Sequence, residues 1–202
     1  VYKRQHLRED VLMNKNALII VDYSVDFIAD NGKLTCGKPG QAIEDYILSR
    51  IETYLDQQED IFFTMDVHYE NDQFHPETQL FPPHNIYGTN GRSLYGKIGA
   101  IYEKHKYNSQ VHYLDKTRYD SFYGTPLDSL LRERDIKNVE IVGVCTDICV
   151  LHTAVSAYNL GYNITIPSKG VASFNQEGHV WALSHFQNSL GAKAVSYTHL
   201  RA

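Results

Sequence analysis

The 202-residue chain is poor in cysteine, in tryptophan and in long apolar runs, and each shortage excludes something. Its three cysteines (Cys36, Cys145 and Cys149) are too few and odd in number for a disulfide framework, and suit a reducing compartment. No apolar run approaches the ~18 residues that a membrane span needs. Excess positive charge is missing too: 19 Lys and Arg against 24 Asp and Glu give a formal charge of −5, so nothing marks a nucleic-acid surface. The opening residues carry no charged-then-apolar leader, and the expected location is the cytosol. There, the sequon Asn163-Ile164-Thr165 reads only as strand sequence. What remains is globular, 43% hydrophobic and 21% charged, with no internal repeat and a length that suits one domain.

Both ends read as foreign. Val1-Tyr2-Lys3-Arg4-Gln5 and the run from Val195 to Ala202 can be translated from codon strings that are reverse complements over the stretch they share, resembling a sequencing-library adapter. The expectation is a gene product starting at Met13, one domain over 13–194, and non-native residues at 1–12 and 195–202. Different codons in the underlying nucleotides would refute this.

Apolar β-branched runs alternate with helix-period segments, which predicts an α/β fold with a mainly parallel sheet. Strands are expected at 17–22 (ALIIVD), 61–66 (IFFTMD), 111–115 (VHYLD), 139–144 (VEIVGV), 163–167 (NITIP) and 192–195. Helices are expected at 41–57, at 126–134, from 147 to a stop at Gly161, and at 177–190. Residues 67–100, rich in Asn, Pro, Gly and His, read as one long functional loop. Open parallel sheets bind ligands at the carboxyl ends of their strands. Asp22, Asp66, Lys116 and the turn 143–149 all fall at such ends, bringing two carboxylates, an amine and thiols to one edge.

Cys149 lies in the strand-to-helix turn GVCTDICV. Thr146 or Asp147 can cap that helix, and its positive end favours a thiolate nucleophile and can hold an oxyanion. The bland alternative is a buried structural cysteine, and Cys145 with Cys149 also suggests a redox pair, although the spacing is not C-x-x-C. Asp22 can exchange the thiol proton or cap a turn; Lys116 can stabilise both charges or be a solvated strand-end lysine. In the loop, Asp66 and His68 are two apart and share a side, with His75, Glu77 and His84 beyond. Such donors suit zinc, manganese or iron, or merely cap and face solvent. Phe27, Phe74, Phe81, Tyr119, Phe122 and Tyr123 can wall a flat aromatic substrate or be core.

Taken together, ALIIVDYSVDF, TMDVH, FPPH, LDKTRYDSF and GVCTDICV resemble the nicotinamidase branch of the isochorismatase-like cysteine hydrolases. HPE-LFPPHN-GT-GR and DICVLHTA-AYNLGY resemble its streptococcal type. The resemblance spans about 17–194 and implies a three-layer α/β/α domain with a roughly six-stranded sheet. It implies the triad Asp22, Lys116 and Cys149, and a cis peptide at Val144–Cys145 with the N–H groups of Cys145 and Cys149 facing an oxyanion. One divalent metal (zinc, manganese or iron) on Asp66, His68, Glu77 and His84 is implied too; His75 is the substitute for Glu77 that other branches suggest. Substrate-flanking aromatics fall on Phe27, Phe81 and Tyr119. The implied partner is the small molecule nicotinamide, with no nucleic acid or membrane, and family members often form homo-oligomers. The rivals are another small-amide or isochorismatase-like hydrolase, and a non-catalytic metal- or redox-binding protein. One departure is Ser24, which stands where the family's D-x-Q-x-D-F has Gln.

Overall fold

The structure, a computed structural model, describes residues 15–193, so the two ends read as foreign lie outside the described residues. Among the described residues, six strands form one sheet: β1 (Lys15–Val21), β2 (Asp60–Asp66), β3 (Val111–Lys116), β4 (Ile136–Val144), β5 (Asn163–Thr165) and β6 (Val171–Ala172). Their order is β3-β2-β1-β4-β5, with β6 also on β4, and every pairing is parallel. The α-helices among the described residues are α1 (Val25–Ile28), α2 (Lys38–Ala42), α3 (Glu44–Asp56), α4 (Gly96–His105), α5 (Leu127–Glu133), α6 (Leu151–Asn159) and α7 (Gln176–Asn188).

Strand β1 shows why its sequence is apolar from Ala17 to Val21. Ala17, Ile19 and Val21 pack with Leu127 and Leu131 of α5, Ala154 of α6 and Phe186 of α7. Leu18 and Ile20 point the other way, to Ile47 and Ile51 of α3 and Ile98 of α4. Alternate residues face opposite sides, and both sides are covered by helices. Each fully buried aliphatic side chain contributes about 1.5–3 kcal/mol. The expected three-layer α/β/α arrangement with a parallel sheet is what forms.

Several boundaries differ from expectation. Strands β1 and β4 start earlier, at Lys15 and Ile136, where pairing to each other outweighs polar composition. Asn163 donates to Asn138 and Asn138 to Asn16, an amide ladder across three strands. β5 stops at Thr165, because Pro167 lacks an N–H for the ladder and the 3-10 turn Ser168–Gly170 follows. The strand expected at 192–195 reduces to a bridge between Thr165 and Lys193, and 194–195 lie outside the described residues. Residues 67–100 are not one loop: they contain 3-10 turns at Pro76–Gln79 and Asn90–Arg92 and the start of α4. Among the described residues no helix is long and apolar enough to cross a membrane.

Candidate active site

The chain leaves β1 and β2 through α3 and α4 on one face of the sheet, and β3 and β4 through α5 and α6 on the other. The winding therefore reverses between β1 and β4, where the strand ends leave a crevice. Asp22 follows β1 with a left-handed φ of 54° and is fully buried. Its Oδ1 accepts the Asp66 N–H at 2.7 Å, which fixes the carboxylate against the end of β2. Asp66 and Lys116 are register partners closing β2 and β3. Lys116 Nζ lies 2.7 Å from Asp22 Oδ2 and 3.9 Å from Asp66 Oδ1, and donates to the Arg118 carbonyl at 3.0 Å.

Charge follows from this burial. Desolvation pushes the Asp22 carboxyl up, with Lys116 opposing it. Burial alone would lower the Lys116 ammonium, but Asp22, Cys149 and Asp66 carry it above its ordinary value. Burial also pushes the Cys149 thiol well up, against the pull of Lys116. Lys116 favours the thiolate that the helix end is expected to favour, whereas burial opposes it, and the neighbouring Asp22 carboxyl has its proton affinity raised by the same burial. The capping expectation fails. Cys149 sits in a π-helical turn, Thr146–Val150, whose N-cap is Cys145 and which has no side-chain cap. Thr146 Oγ1 hydrogen-bonds His179 Nδ1 at 2.7 Å, and Asp147 accepts from Ser173 Oγ at 2.6 Å and Asn175 Nδ2 at 3.0 Å.

The Val144–Cys145 peptide is cis. Before it, Gly143 has φ 119°, and a Cβ there would stand 2.1 Å from the Val21 carbonyl oxygen. Only glycine lets β4 run so close to the end of β1. The sulfur of Cys145 lies 3.1 Å from that of Cys36, a neighbour 109 positions away that sequence spacing gave no means of finding.

Beside this group, Asp66, His68, Glu77 and His84 are all buried, and one donor atom from each lies within 4.8 Å of the others. His68 Nε2 is 2.7 Å from Asp66 Oδ2; His84 Nε2 is 3.5 Å from the same oxygen and 3.7 Å from Glu77 Oε2. His84 Nδ1 is 2.8 Å from the Pro82 carbonyl, which assigns the proton to Nδ1 and leaves Nε2 with a free lone pair. That Nε2 and Asp66 Oδ1 are buried without hydrogen-bond partners. Orphaned acceptors converging in this way fit a divalent cation, because a cation satisfies what no donor reaches. Burial, then Asp66, pushes the Glu77 carboxyl up to about 7. His75 stays out of the cluster: its Nε2 is 2.7 Å from the Thr117 carbonyl and its Nδ1 accepts the Glu77 N–H.

The aromatic residues divide. Phe27 packs on the His84 ring at 5.3 Å, and Phe81 stands 6.3 Å from it. Tyr119 is half-buried against His152, its hydroxyl pushed up to about 12 by burial and then by Glu77 and Cys149. Phe74 is 96% exposed and Tyr123 65%, while Phe122 lies in the core against Tyr162, so these three wall nothing here. A cavity of about 440 Å³, lined by Phe81, Glu77, His68, His84 and the segment 69–73, opens onto the four-residue cluster.

The family profile for the isochorismatase domain matches residues 16–197, and the chain belongs to the isochorismatase family. An uncharacterized isochorismatase family protein of Bacillus subtilis, PncA, is 55% identical over 181 residues, covering 90% of this chain and 99% of its own. The nicotinamidase of Staphylococcus aureus is 61% identical with a TM-score of 0.81, covering 91% of this chain and all of that one. The Streptococcus mutans pyrazinamidase/nicotinamidase is 54% identical with a TM-score of 0.88, over 90% and 100%. A Pyrococcus horikoshii pyrazinamidase, solved in complex with zinc, is 26% identical with a TM-score of 0.78, over 91% and 99%.

Proposed function

We propose that this chain hydrolyses nicotinamide to nicotinate and ammonia, a step that returns the pyridine ring to NAD synthesis. The observation that carries the reading is the buried Lys116 ammonium, 2.7 Å from Asp22 and 3.9 Å from Asp66. It stands between the acid–thiol pair and the four-donor cluster, and in this reading one small molecule spans both. The relatives named as nicotinamidases support the choice of substrate.

Asp22 takes the proton of the Cys149 thiol, a transfer between two groups whose proton affinities burial raises together. Sulfur attacks the carboxamide carbon, and the carbonyl electrons move to oxygen. In this reading the N–H groups of Cys145 and Cys149 hold that oxyanion. Asp22 returns the proton to nitrogen, the C–N bond breaks and ammonia leaves a thioester. Asp22 then draws a proton from water, whose oxygen adds to the thioester carbon; the C–S bond breaks, Asp22 passes the proton to the departing sulfur, and the acid released ionises to nicotinate. Lys116 keeps its ammonium throughout and balances Asp22 in each charged state. Asp66, His68, Glu77 and His84 would hold a divalent metal, which supplies an anchor for the pyridine nitrogen. Phe27, Phe81 and Tyr119 flank the ring.

The test is ammonia release from nicotinamide by the parent and by Cys149→Ala, with metal content measured and a chelator arm. Parent activity lost on chelation, and no turnover by Cys149→Ala while nicotinamide still binds by calorimetry, is the expected outcome. Deamidation by Cys149→Ala would remove the assigned nucleophile. Parent inactivity on nicotinamide with activity on another amide would move the substrate.

A further inference from the structure

Ser24 is the one departure from the D-x-Q-x-D-F motif, and the hydrolytic reading leaves Ser24, Asp26 and Asn85 without a role. All three are buried, and they meet. Ser24 Oγ donates to Asn85 Oδ1 at 2.8 Å. The Asn85 N–H donates to Asp26 Oδ2 at 2.8 Å, and Asp26 Oδ1 accepts the Lys33 N–H at 3.2 Å. Asn85 has a left-handed φ of 46°, which asparagine tolerates better than most residues. Its carbonyl accepts the His68 N–H at 3.1 Å, and His84 is its immediate chain neighbour. One residue is therefore hydrogen-bonded to the backbone of one proposed ligand and covalently joined to another. Phe27, next to Asp26, adds the ring contact on His84.

We infer that Ser24, Asp26 and Asn85 form a clip that positions His68 and His84, so that the segment between β2 and α4 presents its donors only while fastened to the end of β1. The inference rests on the metal reading given above. That segment has no strand of its own, only a single parallel bridge between His68 and Ile86, and its 3-10 turns span four residues at most, so little regular backbone pairing holds its histidines in place. Its other ties to the end of β1, Val25 N–H to Ser93 and Tyr95 N–H to Tyr23, lie nine or more positions beyond His84. Asn85 Nδ2 already lacks a partner. Without the Ser24 hydroxyl the whole amide would be buried unsatisfied, an arrangement that shifts rather than persists. Partners of ligating residues commonly carry 10–100-fold of metal affinity.

Ser24→Ala removes the donor, and Asn85→Gly removes the acceptor while keeping the backbone conformation and main-chain bonds. The metal-free parent, both variants and the double variant are titrated with zinc chloride against a chelating dye, at a temperature where circular dichroism shows each folded. Each single change is expected to weaken zinc binding about tenfold or more. The double variant should stay within about twofold of the weaker single one, as two halves of one hydrogen bond behave. A part that only fills the interior would leave the zinc affinity of the folded protein unmoved. Single variants binding within twofold of parent, or losses that multiply in the double variant, would overturn the clip. A parent that takes up no zinc, or His84→Ala binding as tightly as parent, would bring down the metal reading and the clip with it.

Discussion

Lys116→Met removes one charge from the centre of the site and leaves its volume nearly intact. Lys116 is 1% exposed, and its ammonium faces two carboxylates as well as the Cys149 thiol. Removing one partner of a buried ion pair costs about 3–5 kcal/mol, because the other charge is left uncompensated. At about 2–4 °C per kcal/mol for a domain of this size, the melting temperature should fall by about 6–20 °C. The deficit should also depend on pH. Burial raises the Asp22 carboxyl and Lys116 is the main influence holding it down, so without Lys116 it rises further. A carboxyl raised by folding costs stability above its unfolded value of about 3.9, increasingly until pH passes the folded value. The loss at pH 8 should therefore exceed the loss at pH 5. Lys116 itself, raised above an already high value, stays protonated across this range and adds no slope of its own. Adding Asp22→Asn neutralises the stranded partner, and the double variant should lose at least about 2 kcal/mol less than the sum of the singles. Thermal melts of metal-free protein at the two pH values measure all of this, with deamidation by the metal-loaded variant assayed separately and expected to vanish. A single variant melting within about 2 °C of parent at both pH values would refute the electrostatic account, as would strict additivity.

Gly143→Ala should cost about 3 kcal/mol or more, from a left-handed φ and a Cβ driven into the Val21 carbonyl, seen as a melting drop of about 6–12 °C; an unchanged melt would show that β4 can move off β1. Metal affinity should fall about tenfold per pH unit below about 7, because Glu77 must give up its proton to bind, and this contribution should flatten above that value. His84, whose ring is raised by Asp66 and the Pro82 carbonyl although burial lowers it, steepens the fall. Zinc titrations from pH 5.5 to 8 measure it, and a flat profile would contradict the assignment of Glu77. Glu77→Gln should flatten part of the slope while weakening binding at pH 8, whereas His75→Ala should leave the slope in place, since His75 faces Thr117.

The sheet was legible because its strands obey a local rule: a strand covered on both faces is apolar along most of its length, and 17–21 and 61–65 are, apart from Thr64. From that rule the strand ends follow, and with them the positions of Asp22, Asp66 and Lys116. Where pairing partners supply the stabilisation, composition misleads. Lys15, Asn16 and Asn138 belong to strands through each other, not through their own apolarity. Helix α4 buries only Ile98 completely, too thin a stripe to show a period. The turn at Cys149 looked like a capped helix start because Thr146 and Asp147 are good capping residues, but long-range partners on and before α7 use those side chains instead. Sequence patterns also cannot separate an aromatic wall from core or surface, since Phe81, Phe122 and Phe74 differ only in what lies opposite each. The least legible feature is the one on which the site depends most. Four donors spread over 19 positions converge only because the segment carrying them is fastened elsewhere, and a fastening such as Ser24 to Asn85 joins residues 61 positions apart. Motif reading finds donors, whereas the contacts that decide whether they meet belong to the folded chain.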